Sequence, residues 1–248
     1  MLPKIFKPNF LYDLLRIGSK YDGGYLVERQ SLEKTEFLLS FGISTNWDFE
    51  EDFIRFKNIG FIAFDGSIDE NFWINQKKIA IKKSLKLSFK KLIDYYFIKK
   101  KFKSFFNSNN LKIKYISNTL NNSMTIDQVF QLTKSNHNFL KIDIEGSEYE
   151  ILNDIIRYQK RITGLAIEFH NCRLNLDKII KFIKSISLEL VHIHANNYDK
   201  DHQKNIPNTL EITFARKPVG IAEFKNLPHN LDNPNRLKSP EINLKFND

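Results

Sequence analysis

The chain has 248 residues, 42% of them hydrophobic, which is enough for one sizeable α/β domain and tight for two. No apolar run reaches the roughly 18 residues of a membrane-spanning helix, and no N-terminal stretch has the make-up of a signal peptide. The net charge of +9 is local: residues 77–103 hold eleven lysines and one acid, Asp94, so the rest sums to −1 and offers no basic track for a nucleic-acid backbone.

The single cysteine, Cys172, excludes an internal disulfide and fits a reducing, cytoplasmic setting; within EFHNCR it reads as a small packing residue. In chain order, YDGGY (21–25) comes first and is strong turn chemistry. EFLLSFGI (36–43) then reads as a buried strand, and Asn46 is placed to cap a helix through WDFEEDFIRF. GFIAFD (60–65) is a second strand. The lysine segment follows, with Leu85, Phe89, Leu92 or Ile93, and Tyr96 at helical spacing, so one or two amphipathic helices are expected there. They form either a solvated basic face or a dock for an acidic partner, a substrate or a membrane surface.

LKIKYIS (111–117) alternates and suits an outer strand, and Thr125 with Gln128 forms a capping box for a short helix. NFLKID (138–143) is a fourth strand, followed by the helix SEYEILNDIIRY. GLAIEFH (164–170) is a fifth, with a helix near 175–187. LELVHIH (188–194) and TLEITFAR (209–216) close the series, and the polar loop between them implies an antiparallel pair. The alternation predicts a mostly parallel α/β sheet with helices on both faces. Past Arg216 the composition changes, with four of the seven prolines in the remainder. The expected organisation is one domain over 1–216 with a Lys-rich helical insertion at about 69–106, then an extended tail over 217–248.

Ligands of such sheets bind at the carboxyl ends of the strands. SFGISTN leaves the first strand with one glycine, Gly42, which permits close approach of backbone to a ligand but is no G-x-G-x-x-G fingerprint. Asp65 ends the second strand 23 positions on, placed to hold ribose hydroxyls. Together they suggest a nucleoside ligand without a diphosphate, of which S-adenosylmethionine is the commonest on this architecture. By period-two geometry Lys141 shares a face with Asp143, Glu168 with His170, and His192 with His194. His192, inside its strand, reads as a core residue; His194, at the strand end, reads as functional. Asn196 and Asn197 follow as hydrogen-bonding groups suited to substrate hydroxyls.

FLKIDIEGSEYEIL resembles the signature segment of FkbM-type S-adenosylmethionine-dependent methyltransferases. RIGSKYDGGYLV (16–27), LLSFGISTNWDFEEDF (38–53), IEFHN (167–171), VHIHANNY (191–198) and TLEITF (209–214) resemble, in order, relatives from bacterial surface-polysaccharide (capsule) genes. The resemblance implies a Rossmann-like fold with a seven-stranded sheet and methyl transfer to a sugar hydroxyl, the partner being a small sugar or glycan. It also implies cofactor contacts from Gly42 and Ser44 to the amino-acid part, from Asp65 to the ribose, and from Ser123 near the adenine. Asp22, Gly23, Gly24 and Tyr25 either form only a turn or close over the cofactor, with Asp22 on its ammonium. Metal-dependent small-molecule methyltransferases of this fold, catechol O-methyltransferase among them, take ligands from the ends of the fourth and fifth strands. By that likeness Asp143, Glu168 and His170 are candidate ligands for Mg²⁺ or Mn²⁺. Asp143 is then the functional acid, His194 or Lys141 the candidate base, and Glu145 and Glu148 serve the dipole of the following helix. Two other readings stay open: an RNA methyltransferase, disfavoured by the local charge and the lack of an N-P-P-Y-like tetrapeptide, and an adaptor docking an anionic surface through its lysine helix.

Overall fold

A computed structural model describes residues 1–86, 89–198 and 206–247. Its centre is a seven-stranded sheet of β1 (Phe37–Phe41), β2 (Gly60–Phe64), β3 (Leu111–Lys112), β4 (Asn138–Ile142), β5 (Ile162–Phe169), β6 (Glu189–Ala195) and β7 (Leu210–Ala215). The spatial order is β6-β7-β5-β4-β1-β2-β3. β3, β2, β1, β4 and β5 run parallel, and β7 lies antiparallel between β5 and β6. β4 and β5 are buried along their whole length, as near-continuous apolar runs at the centre of a doubly covered sheet require.

Among the described residues seven α-helices cover the sheet and its ends: α1 (Arg29–Lys34), α2 (Asp48–Phe56), α3 (Glu70–Lys86), α4 (Lys90–Phe105), α5 (Ile126–Gln131), α6 (Glu148–Tyr158) and α7 (Cys172–Ser185). One face is sealed by a cluster in which Phe130, Ile151, Ile155 and Phe182 meet Leu140, Leu165 and Ile167. On the other, Phe49 and Phe53 of α2 pack on Phe139, with ring centroids 6.2 and 5.0 Å away. A third cluster, Trp47, Trp73, Tyr95 and Phe102, ties the α3–α4 hairpin to the segment after β1.

Four local expectations change. An antiparallel hairpin, Leu14–Gly18 with Gly24–Glu28, precedes the sheet, and the YDGGY turn closes it. Asn46 is not the cap of α2; Trp47 is, while the Asn46 amide oxygen accepts from Asp48 N and its nitrogen donates to Asp22 O. The single strand over 111–117 is broken because Lys114 N turns back onto Lys112 O, and Tyr115–Ile116 pairs instead with Ser123–Met124. α7 starts at Cys172, with Asn175 non-helical inside it. The Thr125–Gln128 capping box forms as read. Beyond Arg216 the chain wraps: Ala222–Glu223 pairs with Phe10–Leu11, and Leu2 exchanges hydrogen bonds with Lys245 and Asn247.

Candidate cofactor and catalytic site

The chain leaves β1 toward β2 on one side, while β4 lies on the other, so the order reverses between β1 and β4. A crevice opens outside the carboxyl ends at such a switch point. A cavity of about 470 Å³ lies there, lined by Gly42–Asn46, Asp65–Ser67, Lys114–Ile116, Leu120, Lys141, Asp143–Glu145, Ser147, Phe49 and Phe64, with Asp22 and Gly23 of the N-terminal turn. That volume suits a small-molecule ligand. On the β3 side the wall carries Tyr115, Ile116 and Leu120; on the β4 side it carries the carboxylates Asp22, Asp143 and Glu145.

Gly42 has φ +78°, and a Cβ built there would stand 1.7 Å from the Asp143 carbonyl oxygen. Only glycine lets β1 and β4 close together at this point. Asp65 staples the next turn: one oxygen accepts from Ile43 N (3.0 Å) and Ser44 N (2.8 Å), the other from Ser67 N (2.8 Å) and Ser67 Oγ (2.6 Å). Its carboxylate is thus an organiser of the cavity wall, and a ribose diol would have to displace the Ser67 hydroxyl to reach it.

Asp143 leaves β4, and Glu168 and His170 leave β5. Each of the three offers a ligand atom within 4.8 Å of the others. His170 Nε2 lies 3.9 Å from Asp143, 3.8 Å from Glu168 and 3.5 Å from Glu145. Its Nδ1 is 2.9 Å from Glu148, which also accepts from Ile144 N and Gly146 N. Glu148 is therefore more than a dipole partner: it shapes the β4–α6 turn and orients the imidazole. Glu145 sits before α6 rather than in its first turn, exposed and with φ +54°. Burial alone would lower the pKa of His170, but the Glu148 hydrogen bond and the charges of Glu168, Glu148 and Asp143 push it up to about 9. Glu168 is raised well above the carboxylate range by burial, then by Asp143 and Glu211. The Tyr25 hydroxyl, kept protonated by burial and the same acids, donates to Glu168 (3.0 Å) and Asp143 (3.4 Å).

Several sequence assignments fail on this geometry. His194 cannot serve as a base, because Glu211 meets its Nδ1 at 3.0 Å and Glu241 of the tail takes Nε2. Burial would lower its pKa, yet those two bonds raise it to about 10, so it stays an imidazolium. Lys141 lines the cavity but is 4% exposed, with its ammonium on Gly42 O and 3.4 Å from Asp143. Burial is outweighed there by Asp143, Glu50 and Glu168, so it stays charged and is no base either. Asn197 is consumed by the tail, donating to Arg236 O and Ser239 O and accepting from Arg236 N. Asn196 faces Glu168, to which it donates at 2.9 Å. Ser123 donates to Leu120 O and lies outside the cavity lining, as does Gly24 in the hairpin. His192 is buried against Asp232, and Cys172 is buried, its thiol pushed up to about 12 by that burial. Sequence reasoning missed Ser67, the 114–116 wall and Glu148. The strand-end rule that found Gly42 would have found Gly66 and Ser67 after β2.

A model of the methyltransferase FkbM domain matches residues 67–209, more than half of the chain. The chain belongs to this family. The FkbM match covers β3 to β6 with the triad, while Gly42 and Asp65 precede it. No curated protein matches the sequence. Solved structures similar to the chain include a precorrin-6y C5,15-methyltransferase from Geobacter metallireducens GS-15 (13% identity, 76% of this chain and 87% of that one, TM-score 0.39). Others are the METTL16 methyltransferase domain (10%, 75% and 62%, 0.41) and a fibrillarin/Nop5p complex (11%, 82% and 93%, 0.39). Likeness at this level assigns no substrate and no residue role. As an FkbM-domain protein with the class I sheet order, the chain is an S-adenosylmethionine-dependent methyltransferase. Among the described residues no helix is long and apolar enough to cross a membrane.

Proposed function

We propose that the cavity holds S-adenosylmethionine and that the protein methylates a sugar hydroxyl, with Asp143, Glu168 and His170 binding a divalent cation beside it. The observation that carries this reading is the convergence of those three side chains at the β4 and β5 ends, one of them on the cavity wall. The residues fit a cofactor with a nucleoside at one end and an ammonium at the other: Tyr115, Ile116 and Leu120 offer apolar surface, and Asp22 and Asp143 offer charge. They fit Mg²⁺ or Mn²⁺ as well, since two carboxylates and one imidazole are an oxygen-rich set. Glu148 on the far nitrogen of His170 is the outer partner such a histidine takes.

When bound, the cofactor supplies the methyl group and the cation supplies positive charge that makes a neighbouring hydroxyl more acidic. The chain's own part is positioning, which carries much of the rate of an in-line displacement. Gly42 brings β1 against β4, Lys141 holds Asp143, and Asn196 and Tyr25 orient Glu168. The hairpin brings the Tyr25 phenol onto Glu168 and Asp143 and places Asp22 on the cavity wall. The excess positive charge is concentrated in residues 77–103 and forms no basic track along the chain, which supports a sugar rather than RNA.

The test is methyl transfer from labelled cofactor to a panel of nucleotide sugars and glycans, with EDTA and then with added Mg²⁺ or Mn²⁺. The expected result is transfer to a sugar, lost in chelator, restored by the ion, and abolished in Asp143→Asn and Glu168→Gln. Full activity in EDTA would remove the cation from the reading, and transfer to RNA but to no glycan would remove the sugar.

A further inference from the structure

The α3–α4 hairpin carries apolar residues on two faces. The inner face, Trp73 and Ala80 of α3 with Tyr95 and Phe102 of α4, packs on Ile43 and Trp47. The outer face repeats at helical spacing: Ile74, Ile81 and Leu85 along α3, then Phe89, Ile93 and Phe97 running into and along α4. These six are 50, 40, 84, 69, 57 and 68% exposed, and the two most exposed, Leu85 and Phe89, stand in the last turn of α3 and at the N-cap of α4. Scattered apolar surface residues need no explanation, but six exposed ones concentrated on one pair of helices do, and concentrations of this kind mark interaction sites.

Charge identifies what the patch meets. Residues 77–103 hold eleven lysines and one acid. That acid, Asp94, is already paired with Lys91 at 3.7 Å, and Lys101 reaches Glu51 of α2. Lys78, Lys82, Lys83 and Lys100 are exposed around the stripes. An occupant must therefore be apolar and anionic over the same area. Nucleic acid supplies the anions but no apolar layer for aliphatic side chains, whereas an anionic bilayer supplies headgroups over acyl chains. Neither helix is long and apolar enough to cross a membrane, so the hairpin can lie on the surface without spanning it.

We infer that the α3–α4 hairpin is a docking surface for an anionic lipid membrane, with Leu85 and Phe89 entering the interface and the surrounding lysines resting on the headgroups. The outer residues are distinct from the inner ones that pack on Ile43 and Trp47, and of those two Ile43 also lines the cofactor cavity. The inference is independent of which acceptor is methylated.

The test is co-sedimentation of the full chain with extruded vesicles, either phosphatidylcholine alone or with about 30 mol% phosphatidylglycerol. Binding to the anionic vesicles at about 0.1 M salt is expected to be at least roughly tenfold stronger than to neutral ones, and weaker at about 0.5 M. Leu85→Ser with Phe89→Ser is expected to weaken binding roughly tenfold without shifting the thermal melt, as is replacement of Lys78, Lys82, Lys83 and Lys100 by Gln. A parent protein left in the supernatant with both vesicle types would overturn the inference. So would vesicle binding unaffected by the double serine variant, which would mark a purely polycationic surface. A stable dimer in sedimentation velocity that the same variant splits would assign the patch to a second copy of the chain instead.

Discussion

Replacing Gly42 by alanine tests the geometry of the site most directly. The added Cβ would stand 1.7 Å from the Asp143 carbonyl oxygen and 2.8 Å from its carbon, where ordinary contact begins at 3.4 Å. The oxygen is backbone, and its residue is tied to β1 through Asp143 N to Phe41 O at 2.9 Å, so it cannot rotate away as a side-chain tip would. β1 and β4 must part by about 1–2 Å, which costs about 1–3 kcal/mol of the kind seen on overpacking a core. The left-handed φ of +78° adds about 1–2 kcal/mol for any residue with a Cβ. Together they predict a loss of about 2–5 kcal/mol and a melting temperature lower by about 5–15 °C. The same movement carries Asp143 off its place, and a misplacement of about 1 Å can cost roughly a hundredfold in rate. Gly146→Ala is the control. Gly146 also has positive φ, +106°, but a Cβ there meets only the Asn171 amide nitrogen at 3.6 Å, so strain comes without collision. Thermal melts of both variants, with methyl-transfer rates for Gly42→Ala, decide the matter. If Gly42→Ala melts with Gly146→Ala and turns over at the parental rate, the argument that glycine sets the β1–β4 approach is wrong.

Two further outcomes follow from the buried charges. Lys141→Met removes a buried ammonium from Asp143, whose side chain is 26% exposed and partly solvated, and a loss of about 1–3 kcal/mol is expected in a urea melt; an unchanged midpoint would show that no such pairing operates. His194 has a folded pKa of about 10, above the ordinary value of 6.5, so its contribution to stability is complete below about pH 6.5 and is lost as pH rises through about 10. Denaturation free energy measured across that window is expected to fall more steeply for the parent than for His194→Gln, and equal slopes would contradict the clasp.

The parts of the fold that could be read from sequence were those set by burial alone. β4 and β5 are unbroken apolar runs because both faces are covered, and the Thr125–Gln128 box is chemistry between neighbours. The N-terminal hairpin was opaque beyond its turn, because Gly24–Glu28 is buried by β7 and β5 of the central sheet as well as by its partner strand, contacts between segments far apart in sequence. The strand-end rule named Gly42, Asp143, Glu168 and His170, of which the structure puts Gly42 and Asp143 on the cavity wall and Glu168 and His170 beside Asp143. The same rule misassigned His194 and Asn197, since it cannot know that Glu241 and Arg236, about 40 or more residues later, return to occupy them. Lys141 misled for another reason: its position was right, but its charge state depends on Glu50 and Asp143, brought together only by folding.

The acids where the β4 strand gives way to α6 have a divided role. Any carboxylate at Glu148 would please the dipole of α6. A buried carboxylate, though, needs partners for its desolvation, and one oxygen of Glu148, Oε1, finds three in Ile144 N, Gly146 N and His170 Nδ1, while Oε2 is buried without one. The first two bonds fix a turn in which Glu145 and Gly146 both take positive φ. That turn starts directly after Asp143, so the bonds that shape it also aim the Asp143 side chain. The third bond fixes the imidazole that faces Asp143. One oxygen of a buried helix-terminal acid therefore aligns two of the three groups of the triad. The third, Glu168, is aligned from the opposite side by Asn196 and Tyr25. The three groups are held by the turn before α6 on one strand and by the N-terminal hairpin and the β6 end on the next.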